Sequence, residues 1–280
     1  MNMKNQRNKI ALVTGASSGI GQATAELLTS AYTVYGTSRR GGGASGRSFE
    51  MLPLDVTSDA SVADAVTQLM QREGRIDLLV NNAGFGVAPA GAEESSIEQA
   101  QSIFDTNFFG IVRMTRAVLP HMRKQGAGRI INIGSVLGLL PMPYGALYAA
   151  TKHAIEGYSE SLDHELRTRG IRVSVIEPAY TNTPFDANFL QPDAKLDAYR
   201  EARAAVSQRV KEVMATADQP GVVAEIVLKA AGAVRPRLRY TAGGLAGRLT
   251  WLRRFAPAGL MDAGLRRDLR LDATPAVKSS

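Results

Sequence analysis

The feature that most limits the fold of this chain is a repeated alternation of short apolar runs with longer helical patterns. The runs are bounded by turn residues and stay apolar along most of their length, as strands do when both faces of a sheet are covered. The alternation predicts an α/β fold, a doubly wound and mostly parallel sheet with helices on both faces. A chain of 280 residues with 45% hydrophobic content can form it as one domain. The predicted strands are residues 9–14, 32–38, 49–55, 77–82, 129–134, 172–178 and 237–241, and the predicted helices are residues 19–30, 59–73, 96–124, 147–169, 195–215 and 219–234.

A glycine-rich turn, VTGASSGIGQATAELL, joins the first predicted strand to the first predicted helix. Its glycines let the backbone turn tightly and approach a phosphate, and free N–H groups at the start of the helix can bind the negative charge. Gln22 stands where the phosphate loop of a nucleoside triphosphatase would need lysine. The turn therefore predicts a dinucleotide site. The predicted contacts are Gly15, Ser17, Ser18, Gly19, Ile20 and Gly21.

Two arginines follow the second predicted strand. A site for NAD usually carries an acidic residue at this place, which accepts hydrogen bonds from the adenosine ribose. This chain has Arg39 and Arg40 instead. Their guanidinium groups can bind a 2′-phosphate, and no carboxylate is present to repel it. The pair predicts NADP(H) as the cofactor, the alternative being that the two arginines only solvate a loop.

Tyr148 and Lys152 stand four residues apart in the segment YAATKHAIEGY. If the segment is helical, the two side chains share one face, with their Cβ atoms about 5–6 Å apart. A phenol and an ammonium at this separation form either an ordinary surface contact or an acid–base pair. The two residues alone do not decide between these alternatives.

Several motifs in register resemble the short-chain dehydrogenase/reductase family. They are TGASSGIG (14–21), NNAG (81–84), Asn107, Ser135 followed by Tyr148 and Lys152, and PAYTNT (178–183). The tract 128–183 also resembles the branch of that family that acts on steroids, retinoids and other hydrophobic alcohols. The resemblance runs from Lys9 to Thr183, and more loosely to residue 241. It implies a Rossmann fold, a nicotinamide cofactor and an alcohol or carbonyl oxidoreductase.

The resemblance assigns the chemistry to four residues. Tyr148 exchanges a proton with the substrate oxygen, and Lys152 lowers the pKa of that phenol, because an unperturbed tyrosine with a pKa of about 10 holds its proton too firmly. Ser135 donates a hydrogen bond to the same oxygen. Asn107 is a poor helix former within a predicted helix. In the family it marks a local distortion with a water that bridges to the lysine.

The resemblance also implies further cofactor contacts around the nicotinamide and the adenine. These are Asp55, Val56, Asn82, Ala83, Gly84, Pro178, Thr181 and Thr183, together with Tyr148 and Lys152. One position departs from the family pattern, since the glycine that follows the proline is Ala179 here. We expect its methyl group to trim the pocket or shift the nicotinamide loop without abolishing binding.

The segments predicted to face the substrate are apolar. Residues 137–147, LGLLPMPYGAL, and the region after Pro178 contain no cluster of arginine or lysine that could hold a phosphate or carboxylate. We therefore expect a hydrophobic ketone, aldehyde or secondary alcohol. The candidate substrate contacts are Ser135, Leu137, Tyr148, Tyr180 and Phe185.

Two other functions stay open at this point. A sugar-nucleotide-modifying enzyme of the broader family shares the tyrosine–lysine pair, but it needs a larger C-terminal substrate domain. A non-catalytic NADP-binding sensor or scaffold needs the glycine turn, but it has no use for tyrosine, lysine, serine and asparagine together.

Composition limits the compartment and the assembly. The chain has no cysteine, which excludes disulfides and thiolate sites and is compatible with a cytoplasmic protein, and the N-terminal MNMKNQRNK lacks the apolar core of a secretory signal. The spacing of the three histidines fits no metal site. The helices at 96–124 and 147–169 correspond to those that often form the dimer interface in the family, which implies a homodimer or homotetramer.

The positive charge is confined to the end of the chain. Residues 1–234 hold 23 basic and 23 acidic residues, whereas residues 235–280 hold ten basic and three acidic ones. A neutral body without a recognisable nucleic-acid module argues against nucleic-acid binding. We expect residues 1–242 to form the Rossmann domain and residues 243–280 a basic extension, rich in leucine and arginine, that packs on this domain, on a partner subunit or on a membrane surface. Pro257 interrupts any single long amphipathic helix, which weighs against the membrane.

Overall fold

Seven strands form one parallel sheet with helices on both faces, which confirms the predicted fold class. The computed structural model describes residues 8–41, 46–184 and 189–273. The strands lie in the order β3-β2-β1-β4-β5-β6-β7, and each neighbouring pair is parallel. The strands are β1 (Ile10–Val13), β2 (Thr33–Ser38), β3 (Glu50–Pro53), β4 (Leu78–Asn81), β5 (Gly128–Ile133), β6 (Ile171–Pro178) and β7 (Arg239–Ala242). The helices are α1 (Gly19–Leu28), α2 (Asp59–Glu73), α3 (Ile97–Phe104), α4 (Gly110–Gln125), α5 (Ala146–Leu166), α6 (Arg200–Met214), α7 (Pro220–Gly232), α8 (Gly244–Phe255) and α9 (Ala258–Asp268).

The sheet lies between two apolar layers, and the side chains of each strand alternate between them. In β1, Ile10 and Leu12 join the layer formed with α2, α4 and α5, whereas Ala11 and Val13 join the layer formed with α1 and α7. All four residues are buried. This two-sided burial explains why the strands read as continuous apolar runs in the sequence.

The order of the strands reverses between β1 and β4. From β1 the chain first builds outward through β2 and β3, and then returns to β4 on the other side. In open α/β sheets, loops diverge at such a switch point and leave a crevice beyond the carboxyl ends of the strands. The glycine turn after β1 and the NNAG motif that ends β4 both lie at this crevice.

The helix predicted over residues 96–124 is interrupted. A π-helical turn at Asp105–Phe109 separates α3 from α4, and Asn107 lies within that turn. The distortion predicted at Asn107 is thus confirmed. Strand β3 ends at Pro53 rather than at Asp55, because Leu54 and Asp55 already turn toward the crevice.

The C-terminal extension forms two helices that the sequence analysis did not predict. Ala246 and Leu249 of α8 and Met261 of α9 pack against Val136 and Leu140, next to the crevice. Within the described ranges, no helix is both long enough and apolar enough to cross a membrane.

Candidate active site

A cavity of about 1060 Å³ occupies the crevice at the carboxyl ends of the strands. Nearly all the predicted site residues line it. Gly21, Asn107 and Lys152 do not line the cavity, and Phe185 lies outside the described residues. The cavity thus brings together the predicted contacts from seven separate segments of the sequence. The predicted residues on its wall are Gly15, Ser17, Ser18, Gly19, Ile20, Arg39, Arg40, Asp55, Val56, Asn82, Ala83, Gly84, Ser135, Leu137, Tyr148, Pro178, Tyr180, Thr181 and Thr183.

The glycine turn requires its glycines for two different reasons. Gly15 and Gly19 have φ angles of +66° and +56°, in the left-handed region that other residues rarely adopt. At Gly21 a Cβ atom would overlap the carbonyl oxygen of Gly15. Asn82 fixes the turn from β4, since its Nδ2 donates to the carbonyl oxygens of Thr14 at 2.9 Å and Gly15 at 3.1 Å.

The start of α1 is built to accept an anion. Ser18 caps the helix without a side-chain hydrogen bond, and the first turn contains no acidic residue. Arg47 adds positive charge, and its Nη2 donates to the carbonyl oxygen of Ser17 at 3.0 Å. The Nη1 atom of Arg47 is buried and has no hydrogen-bond partner among the described residues. A cradle of free N–H groups beside an unused guanidinium donor fits the phosphates of a dinucleotide.

The sequence analysis missed Arg47. The segment around it, GGGASGRS, has the composition of a flexible loop, and residues 42–45 of it lie outside the described ranges. The only local signal was an arginine close in sequence to Arg39 and Arg40. Nothing in that spacing indicates a return to Ser17.

The end of β2 carries the predicted arginine pair. Arg39 and Arg40 are exposed side chains on the rim of the cavity. Asp55 faces them from the loop after β3, where the backbone N–H and the hydroxyl of Thr57 both donate to its Oδ1, at 2.9 and 2.7 Å. These hydrogen bonds are the main reason that the pKa of Asp55 is lowered, and the nearby charge of Arg39 adds a smaller effect. The carboxylate is therefore held by its own loop.

Tyr148 and Lys152 lie on successive turns of α5, as the spacing predicts. The Lys152 ammonium lies 5.4 Å from the centroid of the Tyr148 ring, and its Nζ donates to the carbonyl oxygen of Ile133 at 2.9 Å. Tyr148 faces the cavity, whereas Lys152 is buried behind it. Burial lowers the pKa of Lys152 to about 8, against the opposing effect of the Glu156 carboxylate. Because the ammonium is buried, the arrangement excludes a solvated surface contact.

Ser135 and Asn107 flank this pair. Ser135 lies just after β5, where its hydroxyl accepts from the N–H of Leu137 at 3.1 Å and donates to the carbonyl oxygen of Pro178 at 3.4 Å. Asn107 is buried and does not line the cavity. Its Oδ1 accepts from the N–H of Phe85 at 3.0 Å, and its Nδ2 donates to the carbonyl oxygen of Phe85 at 2.9 Å and to the Thr151 hydroxyl at 3.3 Å. Asn107 therefore joins the loop after β4 to the residue that precedes Lys152.

Two buried carboxylates lie behind the lysine. Glu156 follows Lys152 by one turn of α5, and its Oε2 accepts from Nε of Arg239 at 2.9 Å. Glu177 of β6 is fully buried, and neither of its oxygens has a hydrogen-bond partner in the described residues. Its nearest cation is the same Arg239, at 3.6 Å. Burial, strengthened by the charge of Glu156, raises the pKa of Glu177 to about 7.

The other half of the cavity is apolar. Leu137 and Tyr180 line it as predicted, and Ala179, which replaces the family's glycine, lines it as well. Helices far away in the sequence complete this wall, and no local pattern pointed to them. They contribute Val210 and Met214 from α6, Leu249 from α8, Leu265 from α9, and Leu269 just beyond it.

The comparison with protein families agrees with this geometry. The family model described as short chain dehydrogenase matches residues 9–194. The chain therefore belongs to the short-chain dehydrogenase/reductase family. It is an oxidoreductase of that family, whose members use NAD or NADP, and it resembles the steroid and retinol dehydrogenase-like branch.

Three similar proteins illustrate the relationship. The 3-ketodihydrosphingosine reductase of Bacteroides thetaiotaomicron is 46% identical over 182 residues, which cover 64% of this chain and 66%, just under two-thirds, of that protein. Retinol dehydrogenase 8 of Bos taurus is 35% identical over 250 residues, covering 81% of this chain and 79% of that protein. A crystal structure of a short-chain dehydrogenase from Streptomyces avermitilis superposes with a TM-score of 0.79 at 30% identity, covering 96% of this chain and 98% of the other.

The raised pKa of Glu177 can be tested through its effect on the stability of the fold. Between its ordinary pKa of 4.5 and the raised value of about 7, the unfolded chain releases this proton and the folded chain keeps it, so the group lowers stability as pH rises across this window. We expect Glu177→Gln to be more stable than the wild type at pH 8 by about 1–3 kcal/mol, since each pKa unit corresponds to about 1.4 kcal/mol. The difference should shrink toward pH 5. Urea unfolding at both pH values measures it.

Glu160→Gln is the matched control for this test. Glu160 accepts from the same Arg239 at 2.9 Å, but it is half-exposed, and its pKa is lowered rather than raised. Its removal should therefore give no gain at pH 8. An equal effect of Glu177→Gln at pH 5 and pH 8 would contradict the assignment.

Proposed function

We propose that this protein is an NADP(H)-dependent oxidoreductase that transfers hydride between the cofactor and a lipid-soluble carbonyl or alcohol, with Tyr148 as the general acid and base. One observation carries the proposal. The Tyr148 phenol borders a deep, largely apolar cavity, while the Lys152 ammonium lies buried behind the phenol ring, 5.4 Å from its centroid. Neither an NADP-binding scaffold nor a sensor needs that pair.

Proton transfer is the part of the reaction that the chain itself performs. When bound, the reduced nicotinamide supplies the hydride that the carbonyl carbon accepts. Tyr148 donates its proton to the carbonyl oxygen, and it takes the proton back when an alcohol is oxidised. Lys152 stabilises the resulting phenolate by its positive charge, and Ser135 donates a hydrogen bond to the same oxygen as negative charge develops there.

Asn107 has a positioning role in this proposal. It does not line the cavity, but it binds Thr151, whose hydroxyl donates to the carbonyl oxygen of Tyr148 at 2.8 Å. The same amide holds the backbone of Phe85 beside the expected nicotinamide contacts Asn82 to Gly84. The π-helical turn orients the amide toward both elements, because the extra residue in the turn shifts the helix face that follows it.

The cofactor proposal rests on charge at the adenosine end of the cavity. The cofactor would lie with its pyrophosphate on the turn from Gly15 to Gly21 and its 2′-phosphate near Arg39 and Arg40. The unused Nη1 donor of Arg47 adds a third guanidinium beside this end. In the described residues, neither Arg39 nor Arg40 forms an ion pair within 4 Å, so both remain available to an anionic ligand.

The substrate proposal rests on the apolar half of the cavity. Leucine, methionine and tyrosine side chains form its wall, and Ala179 narrows it by one methyl group. The names of two relatives refer to ketodihydrosphingosine and retinol, which are both lipid-soluble. We therefore propose a ketone, aldehyde or secondary alcohol carried on a hydrocarbon chain or ring system.

We further propose a homodimer or homotetramer assembled through α4 and α5. Phe109 lies at the start of α4 with 48% of its surface exposed, in edge-to-face contact with Phe108. An exposed aromatic residue next to the helices that the family uses for dimerisation supports this assembly.

The catalytic assignment predicts a loss of turnover without a loss of cofactor binding. We expect Tyr148→Phe to lower kcat/KM for a hydrophobic ketone roughly 10²–10⁴-fold, the usual contribution of a general acid. The Kd for NADPH should stay close to that of the wild type, because the phenol hydroxyl is a small part of the cofactor contacts. NADPH absorbance measures turnover, and fluorescence titration measures binding.

Two other tyrosines serve as controls for Tyr148. Tyr158→Phe changes the same helix away from the cavity and should retain activity. Tyr144→Phe removes a second hydroxyl from the cavity wall and should reduce kcat/KM far less. Loss of turnover in the Tyr144 variant with full activity in the Tyr148 variant would reverse the assignment.

The cofactor assignment predicts a selective effect on NADPH. We expect Arg39→Ala combined with Arg40→Ala to raise KM for NADPH roughly 10–100-fold, since hydrogen bonds to charged groups contribute about 1.5–3 kcal/mol. KM for NADH should hardly change, because NADH lacks the 2′-phosphate. Arg72→Ala is the control, an exposed arginine that pairs with Glu50. A wild type that prefers NADH would refute the role of the pair while leaving Tyr148 in place.

A further inference from the structure

Helix α8 is apolar on two sides, and only one of them is covered. Ala246 and Leu249 face inward and pack with Met261 beside the cavity. The segment from Arg248 to Leu260, here called the outer segment, carries large apolar side chains in solvent. Trp251, Phe255 and Leu260 are 61%, 62% and 69% exposed, and Leu252 is also exposed. Several large apolar side chains exposed together normally mark a surface that a partner covers.

The charges of the outer segment are all positive and are not neutralised. Arg248, Arg253 and Arg254 are exposed, and the sequence contains no acidic residue between Gly243 and Met261. None of the three arginines forms an ion pair within 4 Å among the described residues. The guanidinium of Arg254 lies 5.6 Å from the ring centroid of Phe255, so cationic and apolar groups are interleaved.

Other arginines in and around the extension form ion pairs with carboxylates. Arg209 pairs with Asp268 at 2.7 Å, Arg266 with Asp272 at 2.8 Å and Arg270 with Glu212 at 2.8 Å. Those pairs attach the end of the chain to α6 or close its last turn. The three arginines beside the exposed aromatic residues, like Arg267 of α9, have no carboxylate within 4 Å among the described residues, and their position next to apolar side chains points to an anionic partner outside the chain.

We propose that the outer segment docks on an anionic lipid surface. Tryptophan, phenylalanine and leucine enter the boundary between headgroups and acyl chains, while flanking arginines bind anionic headgroups. A second copy of the chain is a poor occupant, because an isologous contact would bring two sets of unpaired arginines together. A nucleic acid would match the charge but would leave Leu252 and Leu260 without an apolar contact.

The position of the segment adds a functional consequence, which rests on the proposed function. The opposite side of α8 contributes Leu249 to the apolar wall of the cavity. A membrane bound at the outer segment would therefore lie one helix away from the site that takes the lipid-soluble substrate. The substrate would travel a short distance from bilayer to cavity.

The chain offers a direct reporter, since Trp251 is its only tryptophan. With the full chain, we expect vesicles of phosphatidylcholine and phosphatidylglycerol to shift Trp251 emission to the blue and to carry the protein into the pellet on centrifugation. Vesicles of phosphatidylcholine alone should bind far less, and added salt should weaken binding to the anionic vesicles. No substrate or turnover enters this measurement, so its result is independent of the Tyr148 and NADPH tests.

Two variants retain Trp251 and separate the contribution of charge to vesicle binding from that of the apolar side chains. Replacing Arg248, Arg253 and Arg254 together by glutamine should lower the vesicle partition coefficient roughly 100-fold, since each basic residue near an anionic surface is worth about 1 kcal/mol. Phe255→Ser with Leu260→Ser should also weaken binding, on neutral and anionic vesicles alike. Arg123→Gln with Lys124→Gln, which removes two positive charges at the exposed end of α4, is the control and should bind normally.

Three results would overturn the proposal. One is a Trp251 emission that is already blue-shifted in buffer and does not respond to vesicles, combined with loss of the oligomer in the Phe255/Leu260 variant by analytical ultracentrifugation. That outcome would assign the outer segment to a second copy. Another is a shift produced by a single-stranded oligonucleotide but not by anionic vesicles. The last is full vesicle binding in the arginine variant.

Discussion

The seven strands run parallel, so every strand ends at the same edge of the sheet, and the loops that follow them meet there. Burial between two apolar layers holds the strands in this order, because each strand alternates its side chains between both layers. The glycine turn after β1, the arginines after β2, the NNAG segment after β4 and Ser135 after β5 are brought together only by this arrangement. The site is therefore a consequence of strand direction, and each loop needs only a few residues of its own to complete it.

The lysine shows how burial and charge are balanced within that frame. Lys152 is buried behind a phenol, where a cation is costly, and its pKa falls to about 8. Glu156, one turn further along α5, opposes this shift, and Arg239 of β7 in turn holds Glu156. Arg239, on the strand at the far edge of the sheet, is thus connected through Glu156 to the Tyr148–Lys152 pair. Glu177 is buried as well, and neither of its carboxylate oxygens has a hydrogen-bond partner among the described residues.

Local patterns in the sequence were enough for most of the fold and for the glycine turn, whereas the roles expected of Tyr148, Lys152 and Ser135 came from the resemblance to the family. Strands appeared as apolar runs, the turn as spaced glycines, and the Tyr148–Lys152 pair as a four-residue spacing on one helix. Asn107 was recognised as out of place in a helix, and a π-helical turn accounts for it. Each of these signals depends on residues within one or two turns of each other, which is the range over which sequence patterns report structure directly.

The features that were missed arise from contacts between distant segments. Arg47 reaches Ser17 across 30 positions, and Val210 and Met214 join the cavity wall from a helix with no motif. Helices α8 and α9 were missed for another reason. Apolar residues on two sides of a helix erase the single stripe by which an amphipathic helix is recognised. Because α8 has apolar residues on two sides, it was not recognised in the sequence. The inner side contacts the cavity, and the outer side belongs to the uncovered outer segment.

The positive charge of the protein is concentrated next to the outer segment. Residues 1–234 carry equal numbers of basic and acidic residues, so the body of the protein has little net field with which to attract a charged surface. Within the extension, Arg266 and Arg270 pair with carboxylates, whereas the arginines beside Trp251 and Phe255 have no such partner among the described residues. A charge concentrated at one point orients a molecule as well as attracting it. An otherwise neutral protein with such a point would meet an anionic surface in one orientation, with the apolar end of its cavity toward that surface.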